Sequence, residues 1–182
     1  NGRVKTLHPK IHAGILNKRN KKSDKIDIKK NNFEHIDLVI VNFYPFEKIT
    51  EQTKNHLKII ENIDVGGPTM VRAAAKNYND VTVITSIDHY SELINELKKN
   101  KGSTSFKFRE KMSRLAFGET AYYDAVISNY FNKFNNINFP QRKIFYTNLI
   151  ENLRYGENPH QMGAFYSQNI KNKLKQMHGK TL

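Results

Sequence analysis

The 182-residue chain carries 30 lysines and arginines against 17 acidic residues, which gives a formal net charge of +13, and it contains no cysteine. This length is enough for one domain with a buried core and part of a second. Disulfide scaffolds and thiolate metal sites are excluded, and no apolar run approaches the roughly 20 residues that a membrane helix needs. We therefore expect a cytoplasmic protein with no membrane partner.

The positive charge raises the possibility of a nucleic-acid-binding protein, because clustered cations release counterions from phosphate backbones. Lysine outnumbers arginine 23 to 7, and the lysines are spread over residues 18–30, 98–101 and 171–180 instead of forming one stripe. Runs of this kind are typical of solvated faces. We predict no nucleic-acid partner and keep a basic nucleic-acid-binding protein as the weaker alternative.

Short apolar runs in the first half predict strands that alternate with helices. A strand is possible near Val4, and the lysine-rich residues 18–30 are predicted to be a solvated loop. Residues 36–42 and 81–85 are short and rich in β-branched side chains, which is typical of strands buried on both faces in a parallel sheet. Helices are predicted between these two strands, over residues 51–63 and 68–77.

The second half is predicted to be mainly helical. Asp88 is expected to cap a helix that stops at Gly102. Residues 105–134 form one helical stretch with seven candidate core positions: Met112, Leu115, Ala116, Tyr123, Val126, Ile127 and Tyr130. A turn-rich linker follows over residues 135–140, and residues 144–149 are predicted to be a strand. Strands that alternate with helices indicate an α/β domain with a parallel sheet.

A segment with two adjacent glycines, residues 64–77, is the first candidate for chemistry. Gly66 and Gly67 allow a tight turn with exposed N–H groups, and a helix that starts there attracts an anion or a developing oxyanion. Arg72 and Lys76 share one helix face, where like charges destabilise a bare helix unless an anionic ligand lies between them. The alternative is a surface helix whose alanines pack on the sheet.

Two further segments carry polar groups. Residues 2–9 combine cationic side chains with a hydroxyl and are suited to a phosphate or a carboxamide. His8 and His12 have metal-like spacing, but Pro9 is expected to spoil a regular helix there, so we predict no metal site. Tyr44 follows the first strand, and ligands of open α/β sheets bind beyond the carboxyl ends of strands. An aromatic cluster at a strand end is also consistent with simple packing.

Together these segments resemble the bifunctional AICAR transformylase/IMP cyclohydrolase family. The matching segments, in order, are residues 3–9, 42–46, 63–67, 72–77 and 153–161. The resemblance implies an α/β fold of the methylglyoxal-synthase-like kind, a doubly wound parallel sheet that lacks its N-terminal strands. It also implies an N-terminally truncated cyclohydrolase domain over residues 1–138, with a helical C-terminal part. Residues 139–182 would be a linker and the first segment of a transformylase domain.

The resemblance further implies the last two steps of IMP synthesis. These are formyl transfer from 10-formyltetrahydrofolate to AICAR and dehydrative closure of formyl-AICAR to IMP, the second without a cofactor. The implied catalytic residues of the cyclohydrolase are Lys5, Tyr44, Asp64 and Lys76. The same site would be lined by Arg3, Thr6, Asn42, Val65 and Gly66. The residues implied to bind the AICAR nucleotide in the transformylase are Arg154, Tyr155 and His160.

The remaining expectations concern the assembly and the completeness of the protein. The intact protein is expected to be a homodimer, and this chain to be an incomplete fragment that is inactive and only marginally folded alone. A stand-alone cyclohydrolase is the alternative, which the AICAR-binding segment at residues 154–161 disfavours. Glu119 departs from the histidine that is usual in the family at that position.

Overall fold

A computed structural model of the chain describes residues 2–168, with side chains from Lys5 onward. Its α-helices are α1 (Pro9–Leu16), α2 (Lys22–Lys30), α3 (Phe46–Gln52), α4 (His56–Glu61), α5 (Gly66–Lys76), α6 (Tyr90–Lys99) and α7 (Phe106–Phe134). Its strands are β1 (Leu38–Ile40), β2 (Thr82–Ile84), β3 (Asn148–Leu153) and β4 (Gly163–Ser167). Short 3-10 helices span Gly2–Leu7 and Ile87–His89. The chain divides into two compact units, one up to Tyr130 and one from Phe131.

The first unit contains a parallel pair of strands, β1 and β2, in which Val39 lies opposite Val83. The N–H of Val41 donates to the carbonyl oxygen of Ile84 at 3.0 Å, which extends the pairing to the carboxyl ends. The predicted α/β class with a parallel sheet is confirmed. All of β2 is buried, as predicted, but β1 buries only its central residue, so the prediction of burial on both faces is wrong for β1.

Helix α5 lies at the centre of this unit because its side chains are small enough for close approach on several sides. Val71, Ala74 and Ala75 have no exposed surface. From α7, the Ser113 hydroxyl donates to the carbonyl oxygen of Ala75 at 2.7 Å. Alanine is also the best helix former. The predicted helix over residues 68–77 is confirmed, and it begins two residues earlier, at Gly66.

Asn77 fixes the end of α5 to the end of α1. Its side-chain amide is buried and donates to the carbonyl oxygens of Ile15 at 2.8 Å and Asn17 at 3.1 Å. Asn17 in turn donates to the carbonyl oxygen of Ala13 at 2.7 Å, at the end of α1. The bond to Ile15 satisfies a carbonyl group that the helix end would otherwise leave without a partner, and the other bonds add a second donor to the carbonyl oxygens of Ala13 and Asn17.

Two predictions in the first 30 residues are wrong. Residues 2–7 form a 3-10 helix where a strand was possible, and the predicted lysine-rich loop contains α2. Near the start of α2, the Asp24 carboxylate accepts the N–H of Lys18 at 3.0 Å and pairs with Lys21 at 2.9 Å. The Lys18 amide, followed by Lys21, lowers the pKa of Asp24 to about 2. A carboxylate near the start of a helix is favourable, because it lies at the positive end of the helix dipole. The prediction of a loop rested on the many lysines and overlooked this acidic residue.

Pro9 does not interrupt a helix. It is the first residue of α1, where its missing N–H has no intrahelical partner in any case, and His8 caps the helix through Nδ1, which accepts the N–H of Lys10 at 3.1 Å. The capping role predicted for Asp88 is also wrong. The Ser86 hydroxyl accepts the N–H of Asp88 at 3.1 Å and starts a 3-10 turn, after which α6 begins at Tyr90.

The remaining boundaries differ by a few residues. The helix predicted over residues 51–63 is instead two short helices, α3 and α4, with Asn55 as the cap of α4. Helix α7 confirms the helical stretch 105–134. Among its candidate core positions, Met112, Ala116, Tyr123 and Val126 are buried, whereas Leu115, Ile127 and Tyr130 are half-buried.

The second unit contains an antiparallel hairpin of β3 and β4, in which Asn148 lies opposite Ser167. Its first strand begins four residues later than the strand predicted over residues 144–149. Residues 135–140 form turns and bends, as predicted. The domain boundary after residue 138 stays a prediction.

Replacing Asn77 by alanine should destabilise the first unit. The substitution leaves the carbonyl oxygen of Ile15 without its donor, which costs roughly 1–3 kcal/mol, whereas the carbonyl oxygen of Asn17 keeps the Arg19 guanidinium at 2.6 Å. Asn79→Ala is the matched control, since Asn79 is exposed and contributes its main-chain carbonyl to Arg109. Urea unfolding of the chain measures the difference. Equal midpoints for the two variants would contradict this role of Asn77.

Candidate functional site

A cavity of about 730 Å³ lies in the first unit, between the residues that follow β1 and the start of α5. Six of the residues predicted for the cyclohydrolase site line it: Thr6, Asn42, Tyr44, Asp64, Val65 and Gly66. They come from three separate segments: the first 3-10 helix, the residues after β1 and the residues that lead into α5. The cavity therefore brings together groups that are far apart in the sequence.

The start of α5 approaches its neighbours so closely that no side chain fits at its first two positions. A Cβ atom on Gly66 would overlap the hydroxyl of Thr6, and one on Gly67 would overlap the carboxylate of Asp64. Asp64 Oδ1 accepts the N–H of Gly67 at 2.9 Å. The positive end of the helix dipole favours a negative charge at this place. The glycines are thus required by the contacts with Thr6 and Asp64.

Asp64 is also held through its main chain. Its N–H donates to the phenol oxygen of Tyr123, on α7, at 2.8 Å. Tyr123 is buried, and its ring centroid lies 5.1 Å from that of Phe43 and 6.4 Å from that of Phe46. Burial is the main cause that raises the pKa of Tyr123, so the phenol stays protonated near neutral pH. The sequence identified Tyr123 only as a core position.

A second cavity, of about 360 Å³, shares Asn42 and Tyr44 with the first. Its other walls include Glu47 and Glu119, and the Tyr122 hydroxyl donates to the carboxylate of Glu47. The surrounding protein partly desolvates the carboxyl group of Glu119 and raises its pKa, although the residue as a whole is exposed. Aromatic side chains and two carboxyl groups are therefore grouped beside the first cavity.

Neither of the predicted lysines is among the residues that line the cavity. Lys5 precedes Thr6, and its side chain is exposed. Lys76 lies in the last turn of α5, exposed, and ten residues after Gly66, which is about 15 Å along the helix axis. Arg3 lies in the first 3-10 helix, and its side chain is outside the described part.

Arg72 has a partner that the sequence did not indicate. Its guanidinium carbon lies 5.9 Å from the centroid of the Phe117 ring, within the range of a cation–π contact. The repulsion expected between Arg72 and Lys76 therefore does not require an anion for its relief.

The three residues predicted to bind AICAR lie in the second unit, in the connection between β3 and β4. Arg154, Tyr155 and His160 are exposed there. The connection is closed by Gln161, whose carbonyl oxygen accepts the N–H of Gly156 at 2.8 Å and whose side chain accepts the N–H of Asn158 at 2.9 Å. The loop thus presents its polar side chains outward from a fixed turn.

Across residues 2–168, no three histidine or acidic side chains are grouped in a way that would hold a metal ion. In the same range, no helix has both the length and the apolar character needed to cross a membrane.

A family model described as AICARFT/IMPCHase bienzyme matches residues 74–182. The bifunctional purine biosynthesis protein PurH of Bradyrhizobium diazoefficiens is 48% identical over 166 residues, which cover 91% of this chain and 31% of that protein. PurH of a Thermoanaerobacter species is 45% identical over 100% of this chain and 36% of that protein. The solved structure of ForH is 31% identical, with a TM-score of 0.62, and the match covers 71% of this chain and 68% of that one. The chain spans about a third of the length of the curated relatives that it matches.

Gly66→Ala should destabilise the first unit by roughly 1–3 kcal/mol, the usual cost of overpacking, because the new Cβ overlaps the Thr6 hydroxyl. The double variant Gly66→Ala/Thr6→Ala should recover part of this loss. Gly118→Ala is the control: its Cβ would meet no atom within 4 Å, and alanine in a helix is favoured over glycine by roughly 0.5–1 kcal/mol. Urea midpoints compare the four proteins. A Gly66→Ala variant as stable as Gly118→Ala would show that the approach is not tight.

Glu119→Gln should stabilise the protein near pH 7 by a small amount. Because partial desolvation raises the pKa of Glu119, the folded chain holds this proton more strongly than the unfolded chain. The free energy of unfolding therefore falls as the pH rises through the titration range of the carboxyl group. Glutamine removes this slope, so the gain over wild type should vanish at low pH. Thermal unfolding from pH 3 to 8 tests this, with Glu110→Gln on the same helix as control. A gain that persists unchanged at pH 3 would refute it.

Proposed function

The chain belongs to the family of AICARFT/IMPCHase bienzymes, whose model matches more than half of it, and on this premise we propose that it is part of an enzyme for the last two steps of IMP synthesis. The substrates are AICAR and formyl-AICAR, the product is IMP, and 10-formyltetrahydrofolate is the co-substrate of the first step. The names of the PurH relatives support the bifunctional assignment. The observation that carries the proposal is the convergence of Thr6, Asn42, Tyr44 and Asp64 on one cavity.

The 730 Å³ cavity is the proposed cyclohydrolase site. Its volume is within the roughly 300–1,000 Å³ range of sites for small molecules. Thr6, Asn42 and Tyr44 offer hydroxyl and amide groups, and Asp64 offers a carboxylate. Polar groups of this kind suit the carboxamide and formylamino groups of formyl-AICAR, which must be held side by side.

Ring closure needs the carboxamide nitrogen to attack the formyl carbon and water to leave. Holding two reacting groups of one molecule in contact supplies much of the rate. Asp64 and Tyr44 are proposed to move protons between the attacking nitrogen and the departing oxygen. Lys5, which precedes Thr6, is proposed to stabilise the oxyanion formed by the attack. Lys76 is also proposed as a catalytic residue, although it lies at the opposite end of α5 from the cavity. Arg3, Val65 and Gly66 are proposed to line the site.

The amide of Gly67 is a less suitable oxyanion donor than the sequence suggested. Its N–H is already bonded to Asp64 Oδ1 at 2.9 Å. In this arrangement the Gly67 amide fixes the carboxylate, and Lys5 and the Gly66 amide remain the proposed donors to the developing charge.

The formyl-transfer site is proposed to use Arg154, Tyr155 and His160 for the AICAR nucleotide. Their exposure on the β3–β4 connection supports a role in contacting a ligand. The finer details of the first unit are also proposals. They are a methylglyoxal-synthase-like, doubly wound sheet and a domain boundary after residue 138. For the intact protein we propose a homodimer with a cytoplasmic location and with no nucleic-acid or membrane partner.

The test uses a full-length protein that contains these 182 residues, assayed separately for formyl transfer and for cyclisation of formyl-AICAR. Asp64→Asn should lower cyclisation kcat by roughly 10²–10⁴-fold, the usual contribution of a proton-transfer group, and leave formyl transfer near normal. The asparagine oxygen can still accept the N–H of Gly67, so the fold should persist.

Arg154→Ala is the matched opposite variant. It should weaken AICAR binding by roughly tenfold, because arginine pairs with a phosphate through two hydrogen bonds, and it should leave cyclisation unchanged. A wild-type protein with neither activity would refute the proposed function. Equal damage to both activities by each variant would refute the assignment of the two sites.

A further inference from the structure

Tyr123, on α7, contacts two of the segments that line the larger cavity. Its phenol oxygen accepts the N–H of Asp64 at 2.8 Å. Its ring packs against Phe43, 5.1 Å away between centroids. Phe43 lies between Asn42 and Tyr44, which both line the cavity. One tyrosine therefore holds Asp64 by a hydrogen bond and the segment of Asn42 and Tyr44 by packing of its ring against Phe43.

The hydroxyl and the ring of Tyr123 have separable effects. The ring is buried against Phe43 and Phe46, so it would keep its place without the hydroxyl. The hydroxyl fixes the main chain at Asp64, and the Asp64 carboxylate then meets the Gly67 amide at the start of α5. Loss of the hydroxyl leaves the part-buried N–H of Asp64 without its acceptor, and the turn before α5 is expected to shift.

We propose that Tyr123 is a positioning residue for Asp64, and that its hydroxyl sets the distance between Asp64 and Tyr44 across the cavity. The inference rests on the proposed cyclohydrolase function of this site. Tyr123 acts through the main chain of Asp64 and not on the substrate. Small displacements of reacting groups are costly, since an error of about 1 Å is sufficient for a loss of roughly 10²-fold in rate.

Tyr123→Phe in the full-length protein tests the proposal, because it removes the hydroxyl and keeps the ring. Cyclisation kcat should fall roughly 10- to 100-fold, with the KM for formyl-AICAR and the rate of formyl transfer within about twofold of wild type. The matched control is Tyr130→Phe, which removes a hydroxyl from the same helix. Tyr130 bonds to Nδ1 of His56 at 2.9 Å, and neither residue is among those that line the cavity. Its cyclisation kinetics should equal those of wild type.

Hydrogen exchange at the Asp64 amide supplies a readout that does not depend on activity. Exchange should be faster in Tyr123→Phe than in wild type or Tyr130→Phe. Unchanged kcat in an active protein would overturn the proposal, and so would unchanged exchange at Asp64. Equal kinetic losses in the two tyrosine variants would overturn it too, since they would indicate general destabilisation. A wild-type protein without cyclisation would instead refute the proposed function, and the exchange rates would still decide whether Tyr123 holds Asp64.

Discussion

The close approach of Thr6 and Asp64 to the first turn of α5 is the constraint on which the rest of the first unit depends. A Cβ atom at Gly66 would meet the Thr6 hydroxyl and one at Gly67 the Asp64 carboxylate, so two glycines allow the chain to enter α5 with both side chains in place. The same approach aligns the Asp64 carboxylate with the amide of Gly67 at the positive end of the helix. From this start α5 runs through the core, and its alanines allow the sheet and α7 to pack closely on it.

The two ends of α5 are held by different means. At its start the partners are side chains of the cavity, and at its end Asn77 donates to the carbonyl oxygens that finish α1. Helix α7 contacts the length between, through Ser113 at Ala75 and through Tyr123 at Asp64. A displacement of α7 would therefore change the position of Asp64 at the cavity, because these hydrogen bonds are costly to leave unmade. Core packing and the geometry of the site are provided by the same contacts.

Charge has a local role here that the total of +13 does not suggest. Arg72 lies over Phe117, and Asp24 is held by the Lys18 amide and Lys21 near the start of α2. Each of these charges is satisfied by its immediate neighbours. The excess of lysine is thus compatible with a solvated surface. Four polar residues of the proposed chemistry, Thr6, Asn42, Tyr44 and Asp64, line the cavity.

The sequence by itself determined the α/β class, the two parallel strands, α5 and α7, because these depend on apolar period and length, which are local properties. It also predicted six of the residues that line the cavity, through a resemblance and not through geometry. Local pattern failed where a single contact decides the structure: α2 forms in a lysine-rich stretch with Asp24 near its start, and Pro9 begins a helix instead of ending one. Only the tertiary structure decided that the Gly67 amide is taken by Asp64, that Arg72 has an aromatic partner and that Tyr123 contacts Asp64. That last bond joins residues 59 positions apart. No periodicity in the sequence reports such a contact, since it arises when separate helices pack around one core.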